Sequence, residues 1–515
     1  MLLRPRFVIA QIVLVVLLIT SLFPITGPMG RTDATSKVVS AQSQHLMYLP
    51  LIRGIPLQPS AISYFGMNLY LTKVERRRAG DNLLVLADLA KQAGVSWTRE
   101  ELVWSLIEPN QNDLRPIYDA SLRLAAQKGF GIIGMLLTTP EWARDPSCRP
   151  QRETYWCPPT DANTYARFAA WMVERYDGDG FQDTAGSPRI AAWELWNEPN
   201  DAGNWADIGA DGDARKRRYG ELMIAAYAAI KAADPTATVL IGGTYLFDQG
   251  CAGGICDGIN FLSGPGGVFR QLPQARQAFD VFATHPYATP TAPDALGIPR
   301  IVLIEGTTRA ARGWLASAPI GRPDAQLWIT ELGWCTTPGN CPGILPVSEE
   351  QQANYLIRSM VIAQQNGAEH VSWFQFEDAF NDPNRLAGNA AIVRDYNGQT
   401  YPLKPAYVAY RTLATQLRDA AVVGVGPVHT HQFDPSQPYT NSGGTYDYRY
   451  RRGTTIIDVL WRPNDTTQVS FPVTPGQPIT LVDRDGARTA LVPSRGAVQL
   501  TLSERPIILV QGTPT

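Results

Sequence analysis

The sequence predicts an α/β protein: a (β/α)8 TIM barrel followed by a smaller all-β, sandwich-like module. Three observations lead there. From about residue 61 to 417, β-prone apolar runs alternate with segments that repeat apolar residues at helical spacing, the rhythm of parallel βα units. Ala191–Asn200 gathers aromatics, then polar groups, then Pro199, which reads as a buried strand breaking into a loop. From about residue 418, short alternating runs are split by Gly, Pro, Asn and Asp, the pattern of an antiparallel module.

Composition bounds what such a protein can do. The 515 residues are 44% hydrophobic, ample for a large core, and the net charge is −2. That balance supplies no basic stripe for nucleic acid. Thirteen Trp is a high count. An indole is costly to bury unless its N–H finds a partner, so roughly half are expected to line a groove.

The N-terminus, residues 1–30, reads as an export signal. Arg4 and Arg6 precede the apolar run Phe7–Phe23. The segment is either cleaved or kept as a membrane tether, and either outcome puts the rest outside the cytoplasm. Residues 31–60 read as a linker. The cysteines form three close pairs, Cys148/Cys157, Cys251/Cys256 and Cys335/Cys341, each in a Pro/Gly-rich stretch. They read as disulfides stapling single loops. Zinc is the rival, but no His lies near any pair and the spacings do not match metal knuckles.

In chain order, the barrel opens with a strand at residues 63–68. A helix over 81–93 follows, ended by Gly94, and then a strand over 95–99. A helix is expected over 114–128 and a third strand over 131–137, with Trp142 at its mouth. The next helix spans 163–176 and the fourth strand 190–196. Glu194 lies deeper on that strand than Glu198 and shares its parity. A buried carboxylate needs a partner, and Arg99 on a neighbouring strand is the nearest candidate. A helix over 217–233 leads to strand five, 238–243. Strand six is 279–284, followed by His285-Pro286-Tyr287. Strand seven starts at 327 and runs through Glu331 to Cys335. A helix over 349–366, strand eight over 368–376 and a helix over 405–417 close the barrel. The module at 418–515 has β runs at 454–461, 468–473, 479–482 and 498–510.

Trp196-Asn197-Glu198-Pro199-Asn200 resembles the fourth-strand motif of the retaining glycoside hydrolases of clan A. Thr330-Glu331-Leu332-Gly333 resembles the clan's seventh-strand motif, and Arg99 with Ile107-Glu108-Pro109 its second-strand region. The likeness covers residues 63–415 and is nearest to glycoside hydrolase families 39 and 5. It implies that Glu198 is the acid/base, that Glu331 is the nucleophile and that Asn197 binds the sugar 2-hydroxyl. It also implies that Arg99 supports the nucleophile and that His285 or Tyr287 contacts the nucleophile and the sugar. Trp142 could stack on a sugar. The sugar platform on strand eight falls to Trp373, or to Phe374 if Asp378 sets the register. Glu108 is expected to be structural or to serve an outer subsite.

The implied protein is a secreted, monomeric β-glycosidase acting on a poly- or oligosaccharide by double displacement, with no metal and no organic cofactor. Strands four and seven face each other across a barrel mouth, so two carboxylates can flank one bond. Separation of Glu198 and Glu331 by more than about 10 Å would defeat this, since neither stereochemical route spans it. The alternatives are a catalytically inactive sugar-binding barrel and a transglycosylase.

Overall fold

The computed structural model describes residues 64–73, 82–246, 251–252, 255–298, 303–337, 341, 345–378, 389–434 and 443–513, without the side chains of 251–256. The export signal and linker expected from sequence lie outside the described residues. No helix among the described residues is long and apolar enough to cross a membrane.

Eight parallel strands close into a barrel. They are β1 (Phe65–Met67), β2 (Trp97–Val103), β3 (Gly131–Leu137), β4 (Ala192–Leu195), β5 (Thr238–Ile241), β6 (Val281–Thr284), β7 (Gln326–Ile329) and β8 (His370–Trp373). Each pairs with its sequence neighbours, and β1 pairs with β8 to close the ring. The outer helices include α1 (Leu83–Ala93), α2 (Asp119–Gln127), α3 (Ala162–Arg175), α4 (Ala214–Ala233), α5 (Ile304–Ala316), α6 (Glu349–Gln365) and α7 (Pro405–Leu417).

Local chemistry sets several of these boundaries. Asn82 caps α1 through the Val85 N–H, and Gly94 ends it at φ 89°. Ser348 and Gln351 form a capping box on α6. The expected helix at 114 begins instead at Asp119. Pro116 explains the delay, because a proline disfavours helical backbone in the residue before it. Helix α5 was not expected from the sequence.

Side-chain alternation sorts the barrel interior into layers. A lower layer of Trp97, Ile133, Ala192, Leu240, Val281, Ala283 and Trp328 is packed and apolar. Two residues further along β2, β3 and β4 stand Arg99, Met135 and Glu194, and Thr330 follows Trp328 just past β7. The floor of the site is therefore the apolar layer beneath it.

The C-terminal module holds β9 (Ala421–Val425), β10 (Tyr446–Arg452), β11 (Thr455–Trp461), β12 (Thr467–Pro472), β13 (Ile479–Asp483), β14 (Arg488–Leu491), β15 (Ala497–Leu502) and β16 (Ile507–Gln511). A six-stranded antiparallel sheet runs β9-β10-β11-β16-β13-β14, and β12 pairs with β15 beside it. One apolar cluster joins Leu460, Phe471, Val498, Leu500 and Leu509 across the two sheets. Tyr446, Ile457, Val459 and Trp461 instead join the barrel's core. The six-stranded sheet is thus covered on both faces, by β12–β15 and by barrel helices.

Disulfides link Cys148 to Cys157 and Cys335 to Cys341. The side chains of Cys251 and Cys256 lie outside the described residues, although their backbones are paired in a two-stranded ladder.

Candidate active site

The fourth strand ends at Leu195, and the backbone then leaves the ladder abruptly. Trp196 and Glu198 adopt φ of 75° and 50°. Left-handed backbone is uncommon in residues other than glycine and clusters at functional sites. Strand parity therefore does not carry from Glu194 to Glu198 as expected. The Glu198 N–H instead donates to the Gly243 carbonyl at 2.9 Å. Glycine at 242 and 243 permits this approach. A Cβ at 242 would lie 2.6 Å from the Leu195 carbonyl, and one at 243 would lie 2.0 Å from His285 Nε2.

Glu331 lies just past β7. Its Oε1 accepts Arg99 Nη1 at 2.7 Å and its Oε2 accepts the Tyr287 hydroxyl at 2.7 Å. Arg99 is fully buried and distributes its other N–H groups. Nε donates to Glu194 Oε2 at 2.5 Å, and Nη2 to Glu194 Oε1 at 3.0 Å and Asn197 Oδ1 at 2.8 Å. Glu194 also accepts the Gly243 N–H at 2.8 Å. The Arg99–Glu194 pairing is the one expected, although the two strands are not neighbours: β3 lies between β2 and β4. By holding the oxygen of Asn197, Arg99 leaves its amide N–H2 for another partner.

Glu198 is held differently. His285 Nδ1 lies 2.8 Å from its Oε1, and Asn204 Nδ2 donates to its Oε2 at 2.8 Å. His285 Nε2 lies 3.0 Å from Thr330 Oγ1, while Nδ1 is 3.8 Å from Glu331 Oε2. One oxygen of Glu198, one of Glu331 and a ring nitrogen of His285 lie within 4.8 Å of one another. The two acids thus face each other at close range, well inside the limit of about 10 Å.

Their electrostatics diverge. Burial pushes Glu198 up, the His285 hydrogen bond offsets only part of that, and its carboxyl stays above the ordinary range. Burial also pushes Glu331 up, but His285, Arg99 and Tyr287 together outweigh it and hold the carboxyl below the ordinary range. Two neighbouring carboxyls driven apart in this way can serve as one acid and one anion.

Glu198, His285 and Glu331 could also present one donor atom each to a cation. Arg99 and Tyr287 already occupy both oxygens of Glu331, and a guanidinium at that distance opposes a second positive charge. Asp177, Asp179 and Asp183 form another acidic group after α3. Their carboxylates accept N–H groups of their own turn, from Gly178, Asp179, Gly180 and Phe181.

The aromatic expectations need correction. Eleven of the thirteen Trp are buried, which leaves few for a groove. Several of their N–H groups find partners inside, as in Trp205 to the Arg215 carbonyl at 2.8 Å and Trp334 to the Thr291 carbonyl at 2.9 Å, whereas those of Trp156 and Trp193 find none. Trp373 is fully buried and stacked on Trp334, so it presents no face to a sugar. Phe374 is the strand-eight ring beside the site, edge-on to Tyr70 and Tyr287. Trp142 is half-buried, donates to the Glu108 carbonyl at 2.9 Å and lies edge-on to Trp104. Glu108 is structural: it accepts from the Trp104 indole, the Asn112 N–H and Arg167, each at 2.8 Å.

Asn204, Thr330, Tyr70 beside Phe374 and Tyr245 beside His285 join the site without having been expected from the sequence. Inward parity from Trp328 would have found Thr330. Asn204 lies in a Gly/Asp-rich loop with no motif to mark it.

No family model and no curated protein matches this chain. Solved structures do match in fold. The chain is similar to a family 39 glycoside hydrolase from Bacteroides cellulosilyticus WH2, with TM-score 0.61 and 20% identity over 84% of this chain and 78% of that one. It is also similar to the family 39 enzyme of Xanthomonas axonopodis pv. citri, with TM-score 0.53 and 15% identity over 83% and 90%. A glucosidase from Croceicoccus marinus aligns with TM-score 0.57 and 14% identity over 88% and 96%. At these identities the likeness is one of fold, the barrel fold that the clan A resemblance implied.

Proposed function

We propose that this protein is a retaining glycoside hydrolase, acting outside the cytoplasm on β-glycosidic bonds of a poly- or oligosaccharide. One observation carries the reading. Two buried carboxyls face each other at the barrel mouth, one kept anionic by Arg99 and Tyr287, the other inclined to hold a proton. Retaining enzymes place their carboxyls about 5–5.5 Å apart. The family 39 neighbours and the paired cysteines add support from independent directions.

In the first step a Glu331 oxygen bonds the anomeric carbon as the glycosidic C–O bond breaks. Glu198 gives its proton to the departing oxygen, which leaves as an alcohol. Esterified Glu331 no longer carries charge, so Glu198 becomes a stronger acid and settles as the anion. In the second step Glu198 takes a proton from water, whose oxygen bonds the anomeric carbon and releases Glu331. Asn197 Nδ2, aimed by Arg99, binds the 2-hydroxyl. His285 touches Glu198 and approaches Glu331, so its role is to position the pair rather than to bind sugar.

Replacing Glu198 with Gln tests the assignment. The first step should slow about 100-fold or more on phenyl β-glycosides and little on 2,4-dinitrophenyl β-glycosides, whose leaving groups need no proton. Equal losses on both would count against the acid role. A 2-deoxy-2-fluoro glycoside should label the peptide that carries Glu331.

A further inference from the structure

Glu198 has an attachment that double displacement leaves unexplained. The Asn204 amide that donates to its Oε2 is itself held at the other end: Arg152 Nη1 donates to Asn204 Oδ1 at 2.7 Å. A guanidinium has only donors, so it accommodates the oxygen end of the amide and not the nitrogen end. The backbone of Asn204 is fixed too. Its carbonyl accepts the Trp196 indole N–H at 2.5 Å, and its N–H donates to the Asp201 carbonyl at 3.0 Å.

Arg152 is carried by the loop that Cys148–Cys157 closes. That loop is paired to the segment after Asn204, Cys148 with Ile208 and Arg149 with Asp207. Arg152 also lies 3.6 Å from Asp201. Gly203 makes room for it, since a Cβ there would stand 2.8 Å from Arg152 Nε.

We propose that Arg152 is a positioning residue for Glu198, acting through Asn204, whose amide it locks with the N–H2 end toward the carboxyl. The proposal rests on Glu198 being the acid/base. A donated N–H favours the ionised carboxyl, the form that Glu198 needs when it turns from acid to base. An unlocked amide could flip and offer its oxygen, which favours the protonated form instead. The other titratable groups facing Glu198 are His285, Glu331, Tyr245 and Tyr287. Of the four, Tyr245 also senses the Arg152 charge, which Asn204→Leu and Arg152→Lys both retain.

The test is the pH dependence of kcat/KM on phenyl β-xyloside, β-glucoside, β-galactoside and β-mannoside, read on whichever the wild type cleaves fastest. The alkaline limb reports protonated Glu198. In Arg152→Met and Asn204→Leu it should move up by about one pH unit, the scale of one hydrogen bond to a charged group. Arg152→Lys, still a pure donor, should leave it in place. If Arg152→Met does not fold, Arg152→Gln, whose amide can also accept, is read instead. Unmoved limbs in the Arg152 and Asn204 variants, or a Lys variant shifted as far as Met, overturn the relay. A wild type inactive on all four substrates brings down the glycosidase reading and the relay with it. An active wild type with unmoved limbs brings down the relay alone.

Discussion

Arg99 is one cation serving two carboxylates and an amide in a water-poor barrel. Burying such a charge is tolerable because every face of the guanidinium meets an acceptor. Its charge is shared between Glu194 and Glu331, so Glu331 also depends on the Tyr287 hydroxyl to stay ionised. The pair should give a bell-shaped kcat/KM profile, with apparent values that belong to both acids together. Its acid limb should fall below the ordinary glutamate range and its alkaline limb above it, following the directions of Glu331 and Glu198. The sign for Tyr287→Phe follows directly. Removing a donor from an anion favours protonation, so the acid limb should rise by about one pH unit, while the alkaline limb moves less. The measurement is kcat/KM from pH 3 to 9 on one phenyl glycoside. A Phe variant that loses rate with no movement of the acid limb would assign Tyr287 a role in packing alone.

The loops above the strands do what the strands cannot, because each strand delivers only one inward side chain to the rim. The segment that holds Arg152 is closed by Cys148–Cys157 and paired through Cys148 and Arg149 to the segment that holds Asn204. A short disulfide-closed loop restricts the unfolded chain only modestly, so the bond's larger effect is on loop shape. Cys148→Ser with Cys157→Ser should therefore shift the alkaline limb in the same direction as Arg152→Met. It should cost less than about 3 kcal/mol of stability by denaturant unfolding. An unshifted limb would mean that strand pairing alone holds Arg152. These elements also mark what could be read in the sequence. The order of the barrel strands was legible from the apolar runs and their spacing, but their ends were not: β2 runs on to Val103, β4 stops at Leu195 ahead of Pro199, and β7 stops at Ile329 before Glu331. Arg99, Asn197, Glu198, Tyr287 and Glu331 were legible through the motifs that resemble clan A, and the barrel brings them together. Asn204 and Arg152 were not legible, because their meeting depends on how two irregular loops cross. Of the two strand-eight candidates, Trp373 faces the core and Phe374 lies beside Tyr287, because a step of one residue exchanges the two faces of a strand.

The barrel and the C-terminal sheet share buried structure rather than a simple contact. Asp294, on the loop after β6, accepts Arg358 Nε of α6 at 3.1 Å and the Trp461 indole N–H of β11 at 2.7 Å. Trp461 stacks on Tyr446, which stacks in turn on His431, and His431 Nε2 lies 2.8 Å from Glu305 of α5. Arg484, just past β13, donates to Asn354 Oδ1 of α6 at 2.9 Å. The sheet therefore covers α5 and α6, the helices on either side of β7 in sequence, and β7 carries Glu331 at its end. We expect the barrel and the sheet to unfold in a single calorimetric transition. Asp294→Ala should lower stability by about 3–5 kcal/mol, because it strands the buried Arg358 charge. The double variant Asp294→Leu with Arg358→Met should recover most of that loss, since no unpaired charge remains. A double variant as unstable as the single one would locate the cost in packing around Trp461. Two separate transitions in the wild type would show that the sheet folds independently of the barrel it covers, and Glu331 would then owe nothing to the C-terminal residues.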